Sequence, residues 1–86
     1  MFNAMKQTTN WEVINGELVR EFYFKDYTMV IQFANKVMEI AQTQKHHPEI
    51  TISYSKVIVT IHEHDTASIS DKCHRFAETV NSLDFL

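Results

Sequence analysis

From Trp11 to Phe24 apolar and polar positions alternate, and Asn15-Gly16 interrupts the alternation once. That pair is the favoured centre of a two-residue type I′ turn, because both positions need positive φ. The turn pairs Ile14 with Glu17, Val13 with Leu18 and Trp11 with Arg20. Trp11, Val13, Leu18, Phe22 and Phe24 then share one face, the expected core face, and Glu12, Glu17 and Glu21 share the other. Next the period changes. Asp26 is the expected N-cap, its carboxylate accepting from free first-turn amides and suiting the positive helix end. From Tyr27 to about Gln44, Val30, Phe33/Ala34, Val37 and Ala41 recur at helical spacing. Met29, Met38 and Ile40 widen that stripe enough to serve both the sheet and a partner subunit. Pro48 follows where it cannot extend the helix.

Alternation returns at Ile50, with Ile50, Ile52 and Tyr54 on one side and a turn expected at Ser55-Lys56. Val57 to His64 alternates again: Val57, Val59 and Ile61 on one face, Ile58, Thr60, His62 and His64 on the other, unless a bulge near Glu63 intervenes. Ser70 is the expected N-cap of a last helix from Asp71 to about Leu83, with Phe76, Ala77, Val80 and Leu83 inward. The order β-β-α-β-β-α predicts an α+β fold, a four-stranded antiparallel sheet with two helices packed on one face.

With 86 residues the chain supports one core. Residues 1–10 read as a flexible tail and 11–86 as a single domain. Cys73 is the only cysteine, so no internal bridge forms and a reducing, cytoplasmic setting is expected. No apolar run approaches the roughly 18 residues of a membrane span, and the opening residues lack a signal-peptide core. A net charge of −3 without a basic stripe argues against nucleic acid.

Four of the five histidines fall between His46 and His64. His46-His47-Pro48 precedes the second strand pair, and His62-x-His64 ends it, so the hairpin brings the two groups together. Histidine is the side chain whose unperturbed pKa lets it give and take protons near neutral pH. The cluster is therefore a candidate acid/base site. A metal site built from His46, His47, His62 and His64 is the other chemistry open to it, since imidazole suits zinc, copper and nickel.

The run His46-His47-Pro48-Glu49, then Tyr54, then His64 ten residues on, resembles the pterin-4a-carbinolamine dehydratases. Trp11-Glu12, Asn15-Gly16 and Phe22-x-Phe24-Lys25-Asp26-Tyr27 extend the resemblance upstream, so it runs from Trp11 to Leu83. It implies the same element order. It also implies dehydration of 4a-hydroxytetrahydropterin to quinonoid dihydropterin and water, in tetrahydrobiopterin recycling beside an aromatic amino acid hydroxylase. Pterin is then the substrate, no metal or other cofactor is needed, and the assembly is a homodimer or homotetramer. The resemblance assigns catalysis to His46, His47 and His64. His47 is the expected base at the ring nitrogen, with His46 or His64 protonating the departing hydroxyl. Loss of water from a carbinolamine needs these two proton transfers, and positioned groups contribute about 10²–10⁴-fold to such steps.

The expected substrate-binding set is Pro48, which fixes the backbone, Glu49, which orients a ring, Tyr54, Trp11, His62 and Lys72. Tyr54 and Trp11 either border the flat pterin or fill core. His62 matches no histidine of the family and reads as a strand surface residue, while His74 reads as solvated. Lys72 stands where the family often has arginine, keeping the charge without the planar fork. Two acidic positions are changed. Gln42 replaces a glutamate four residues before the first histidine, although Glu39 lies one turn earlier, and Cys73 replaces an aspartate three residues after the N-cap. These losses motivate the alternative, a weak or inactive member acting as a protein-binding, dimerisation or assembly module.

Overall fold

Positive φ at Asn15 (51°) and Gly16 (79°) closes the first hairpin as the dipeptide requires. It joins β1 (Glu12–Ile14) to β2 (Glu17–Tyr23) with Ile14 opposite Glu17 and Val13 opposite Leu18. This computed structural model describes residues 10–66 and 68–85. The expected tail lies outside the described residues apart from Asn10, an exposed turn residue. Helix α1 (Tyr27–Gln44) follows, then β3 (Glu49–Ile52), β4 (Lys56–Ile61) and helix α2 (Asp71–Asn81). The strands form one antiparallel sheet in the order β1-β2-β4-β3, so the fold is the expected α+β architecture, β-β-α-β-β-α.

Both helix starts are capped by side chains. Asp26 accepts from the Met29 amide at 3.0 Å, and Ser70 accepts from the Cys73 amide. Helix α1 buries Val30, Phe33, Ala34, Val37 and Ala41, and α2 buries Cys73, Phe76, Ala77 and Val80. They pack on Leu18 and Phe22 of β2 and on Val57, Val59 and Ile61 of β4, the two central strands. Phe33 lies at the centre of an aromatic cluster, with ring centroids 4.6 Å from Phe22, 4.9 Å from Phe24 and 5.8 Å from Phe85. Among the described residues no helix is long and apolar enough to cross a membrane.

The structure corrects several local expectations. Val13 is 67% exposed, because among the described residues β1 is a three-residue edge strand paired with β2 alone. Arg20, on the core face between Leu18 and Phe22, is buried instead. Its Nη1 donates to Asn81 Oδ1 at 2.7 Å, and its guanidinium lies 4.4 Å from the Phe22 ring centroid. The β3–β4 turn falls on Tyr54-Ser55, one residue earlier than expected, with the Ser53 amide donating to Lys56 O at 2.8 Å. Lys56 is drawn into β4 by its pairing with Tyr23, and Ser55 O accepts from the Phe24 amide. Strand β4 stops at Ile61 rather than His64, since its pairing with β2 ends at Leu18. Beyond it the Glu63 amide donates to Ser68 O and closes a loop. Helix α2 ends at Asn81, and Leu83 is only partly buried.

Candidate active site

Lys45 caps α1 in the left-handed region (φ 54°, ψ 44°), with its own amide and that of His46 both bonded to Ala41 O. This conformation turns the chain sharply and sends successive side chains opposite ways. His46 enters the interior, 4% exposed, while His47 faces solvent. His46 Nε2 lies 3.2 Å from Cys73 Sγ, and its ring meets Phe76 edge-on, centroids 6.5 Å apart. Burial pulls the His46 imidazole below its ordinary pKa. The Glu63 carboxylate opposes that shift, and the charges of Lys72, His64 and His47 add to it.

Three groups from the β4–α2 loop face this end of the sheet. Exposed His64 donates from Nε2 to the His47 carbonyl at 3.3 Å, which ties the loop to the α1–β3 connection. The His62 ring lies 5.6 Å from that of His64, held between the Glu63 carbonyl (2.9 Å from Nδ1) and the Glu17 carboxylate (3.2 Å from Nε2). Glu63 accepts from the Ser70 hydroxyl, and this bond is the main reason its carboxyl sits below the usual range. Burial raises it, while His46, Lys72 and His64 lower it further.

His62 and His64 thus lie side by side at this end of the sheet, with His64 against the backbone of exposed His47 and with His46 buried. Pro48 is half-buried, and exposed Glu49 opens β3 opposite Thr60 at the same end of the hairpin. Exposed Lys72 belongs to the first turn of α2, near enough for its charge to act on His46 and Glu63. Two expected residues lie elsewhere. Tyr54 is 76% exposed in the turn at the opposite end of the β3–β4 hairpin. Trp11 Nε1 donates to Asn81 Oδ1 at 2.8 Å, and its ring meets Phe22 edge-on at 5.9 Å, beside the end of α2. Gln42 is exposed on α1, and Glu39 pairs with Lys36 at 3.6 Å, a surface contact that does not extend to the histidines.

Sequence reasoning missed Glu63 as a site residue and gave Cys73 only the role of a lost aspartate. Donor atoms of His46, Glu63 and Cys73 lie within 4.8 Å of one another, a grouping the four histidines do not make among the described residues. The available signal was Glu63 between two histidines and Cys73 one turn beyond its cap. A hollow of about 660 Å³ lies elsewhere, lined by Ile14 of β1, by Val19, Glu21 and Tyr23 of β2 and by Phe85 near the C-terminal end. No histidine lines it, so the proton-exchanging groups, not volume, locate the candidate site.

A one-sheet α+β sandwich with clustered imidazoles at one end is a small acid/base or binding domain. The family model described as Pterin 4 alpha carbinolamine dehydratase matches residues 2–83. The chain belongs to this family. A relative from Metallosphaera sedula is 37% identical over 81 residues, covering 94% of this chain and 84% of its own length. One from a Cyanothece species is 36% identical over 77 residues, covering 90% and 79%. Both bear the name "Putative pterin-4-alpha-carbinolamine dehydratase". The crystal structure of a transcriptional coactivator/pterin dehydratase from Brucella melitensis superposes with a TM-score of 0.82 at 25% identity, covering 92% of this chain and 86% of that one. A pterin dehydratase-like RuBisCO assembly factor of the α-carboxysome has the same fold, with a TM-score of 0.71 at 21% identity and coverage of 85% and 87%.

Proposed function

We propose that this chain dehydrates 4a-hydroxytetrahydropterin to quinonoid dihydropterin and water by histidine acid/base catalysis. The observation that carries the reading is the 3.3 Å bond from the His64 ring to the His47 backbone carbonyl, which ties the loop bearing exposed His64 to the segment bearing exposed His47. In this reading His47 takes the proton from the ring N–H as nitrogen forms its double bond to carbon. His64 gives a proton to the hydroxyl, which leaves as water. His46 is buried with Nε2 against Cys73, so it acts from the interior rather than on the reacting atoms. Pro48, Glu49, His62 and Lys72 form the substrate-binding set, while Trp11 packs against the core and Tyr54 lies at the far end of the hairpin, so neither belongs to that set. The activity belongs to tetrahydrobiopterin recycling in the cytoplasm beside an aromatic amino acid hydroxylase, and it asks for no cofactor. Self-association into a homodimer or homotetramer uses the exposed stripe Tyr27, Ile31 and Met38 on α1.

The test is a dehydration assay on carbinolamine generated in situ by an aromatic amino acid hydroxylase, with the spontaneous rate subtracted. Protein-dependent acceleration that disappears in His47→Ala supports the reading. Folded wild-type protein that adds nothing to the spontaneous rate rejects it.

A second reading is a binding or assembly module without catalysis, as the α-carboxysome neighbour is a RuBisCO assembly factor. Exposed Gln42 in place of a carboxylate and the apolar stripe on α1 favour it. An inert protein that forms a stable complex in pull-down would establish it.

A further inference from the structure

We propose that His46, Cys73 and Glu63 form a binding site for one zinc-class divalent cation. The three donors come from three segments, each fixed independently. Lys45 in its left-handed conformation turns His46 inward, the Glu63 amide is held by Ser68 O at 2.8 Å, and Cys73 sits in the first turn of α2 behind the Ser70 cap. His46 is 4% exposed and Cys73 is fully buried, while partly buried Glu63 connects the group to solvent.

Thiolate, imidazole and carboxylate are the ligands that zinc combines. One thiolate and one carboxylate neutralise a dication, which suits an interior position. With zinc–sulfur and zinc–nitrogen bonds of about 2.3 and 2.05 Å, a tetrahedral edge between the two atoms is about 3.6 Å. The Nε2–Sγ separation is 3.2 Å, close to that edge. All three donors lie within 4.8 Å, so a small movement of the carboxylate completes the set. The Ser70 hydroxyl, bonded to Glu63, supplies the outer hydrogen bond that orients a ligating carboxylate. Three protein ligands leave the fourth position to water.

This site is not the four-histidine set considered from the sequence, because only His46 enters it. Nor does it depend on the dehydratase reading. A bound cation occupies the Nε2 lone pair of His46 and leaves His47 and His64 free for proton exchange.

The test is a cobalt(II) titration of the untagged full chain, stripped with chelator and kept reduced without thiol reagents. The expected result is saturation at one equivalent, with the visible bands of four-coordinate cobalt and a thiolate charge-transfer band in the near ultraviolet. Zinc(II) displaces the cobalt. Cys73→Ser abolishes the charge-transfer band, and Glu63→Gln keeps it while weakening binding roughly 10- to 100-fold, the range seen even for outer-shell partners. Circular dichroism reports whether each variant is folded, and Glu63→Gln, outside the core, decides should Cys73→Ser unfold. Folded wild type that shows no charge-transfer band at one equivalent overturns the proposal. So does cobalt binding unchanged in folded Glu63→Gln or Cys73→Ser, which places the ion on the surface histidines.

Discussion

The helix-covered face of the sheet and the histidine end follow different rules. On the covered face, residues of one chemistry meet at periodic positions. Leu18, Phe22, Val57, Val59 and Ile61 rise from the sheet, and Val30, Phe33, Val37, Phe76 and Val80 descend from the helices. At the other end, residues of different chemistry meet from non-periodic segments, and one left-handed residue decides that His46 is buried while His47 is exposed. The buried core thus lies where the pattern is regular, and the candidate site where it breaks.

The largest stability change should come from the covered face. Phe33→Ala removes a fully buried ring that touches Phe22, Phe24 and Phe85, and should cost about 3–5 kcal/mol. Urea unfolding measures it, and a cost under about 1 kcal/mol would remove the core from the comparison. Ser70→Ala comes next. It takes away the α2 N-cap and the hydroxyl that holds Glu63, so a loss of about 0.5–2 kcal/mol is expected. A change within error would show the cap to be redundant.

A pH series separates the two regions without mutation. Burial lowers the His46 pKa below its unfolded value, so the unfolded chain binds that proton more readily. For metal-free protein, stability should hold above the unfolded value of about 6.5 and fall as pH drops through it toward the lowered folded value. The Glu63 carboxyl, lowered chiefly by Ser70, adds a further loss below its unfolded value near 4.5. Denaturant midpoints between pH 8 and pH 5 report the first effect. His46→Asn should flatten the decline, and an equal slope in that variant would assign it to another group.

The smallest effect expected is a gain. Lys45 occupies a left-handed conformation that costs a residue with a Cβ about 1–2 kcal/mol, and glycine removes that cost at the price of extra freedom in the unfolded chain. Lys45→Gly should therefore stabilise by up to about 1 kcal/mol, read as a raised denaturant midpoint. Destabilisation would mean that the lysine side chain contributes something the backbone geometry does not show.

The covered face was legible because burial repeats. Every residue that α1 buries was on the stripe expected from spacing, and Val57, Val59 and Ile61 are buried as their alternation requires. Arg20 was missed because its charge argued against the face that its position dictated, and its burial goes with tertiary contacts such as the bond to Asn81, 61 residues away. Val13 was misplaced because alternation reports a face and not whether a helix covers it. At the histidine end the residue types were visible in the sequence, but their directions were not. Left-handed Lys45, the early end of β4 at Ile61 and the inward approach of Glu63 to Cys73 are set by tertiary closure of two loops. No periodicity encodes them.

The decisive measurement is the carbinolamine dehydration rate of wild type, His47→Ala and His64→Ala, taken beside their unfolding midpoints. Wild type should accelerate the reaction, and each exposed-histidine variant should lose about 10²–10⁴-fold of that acceleration while its unfolding free energy stays within about 0.5 kcal/mol of wild type. Undiminished rates in both variants would contradict the assignment of chemistry to the histidine end.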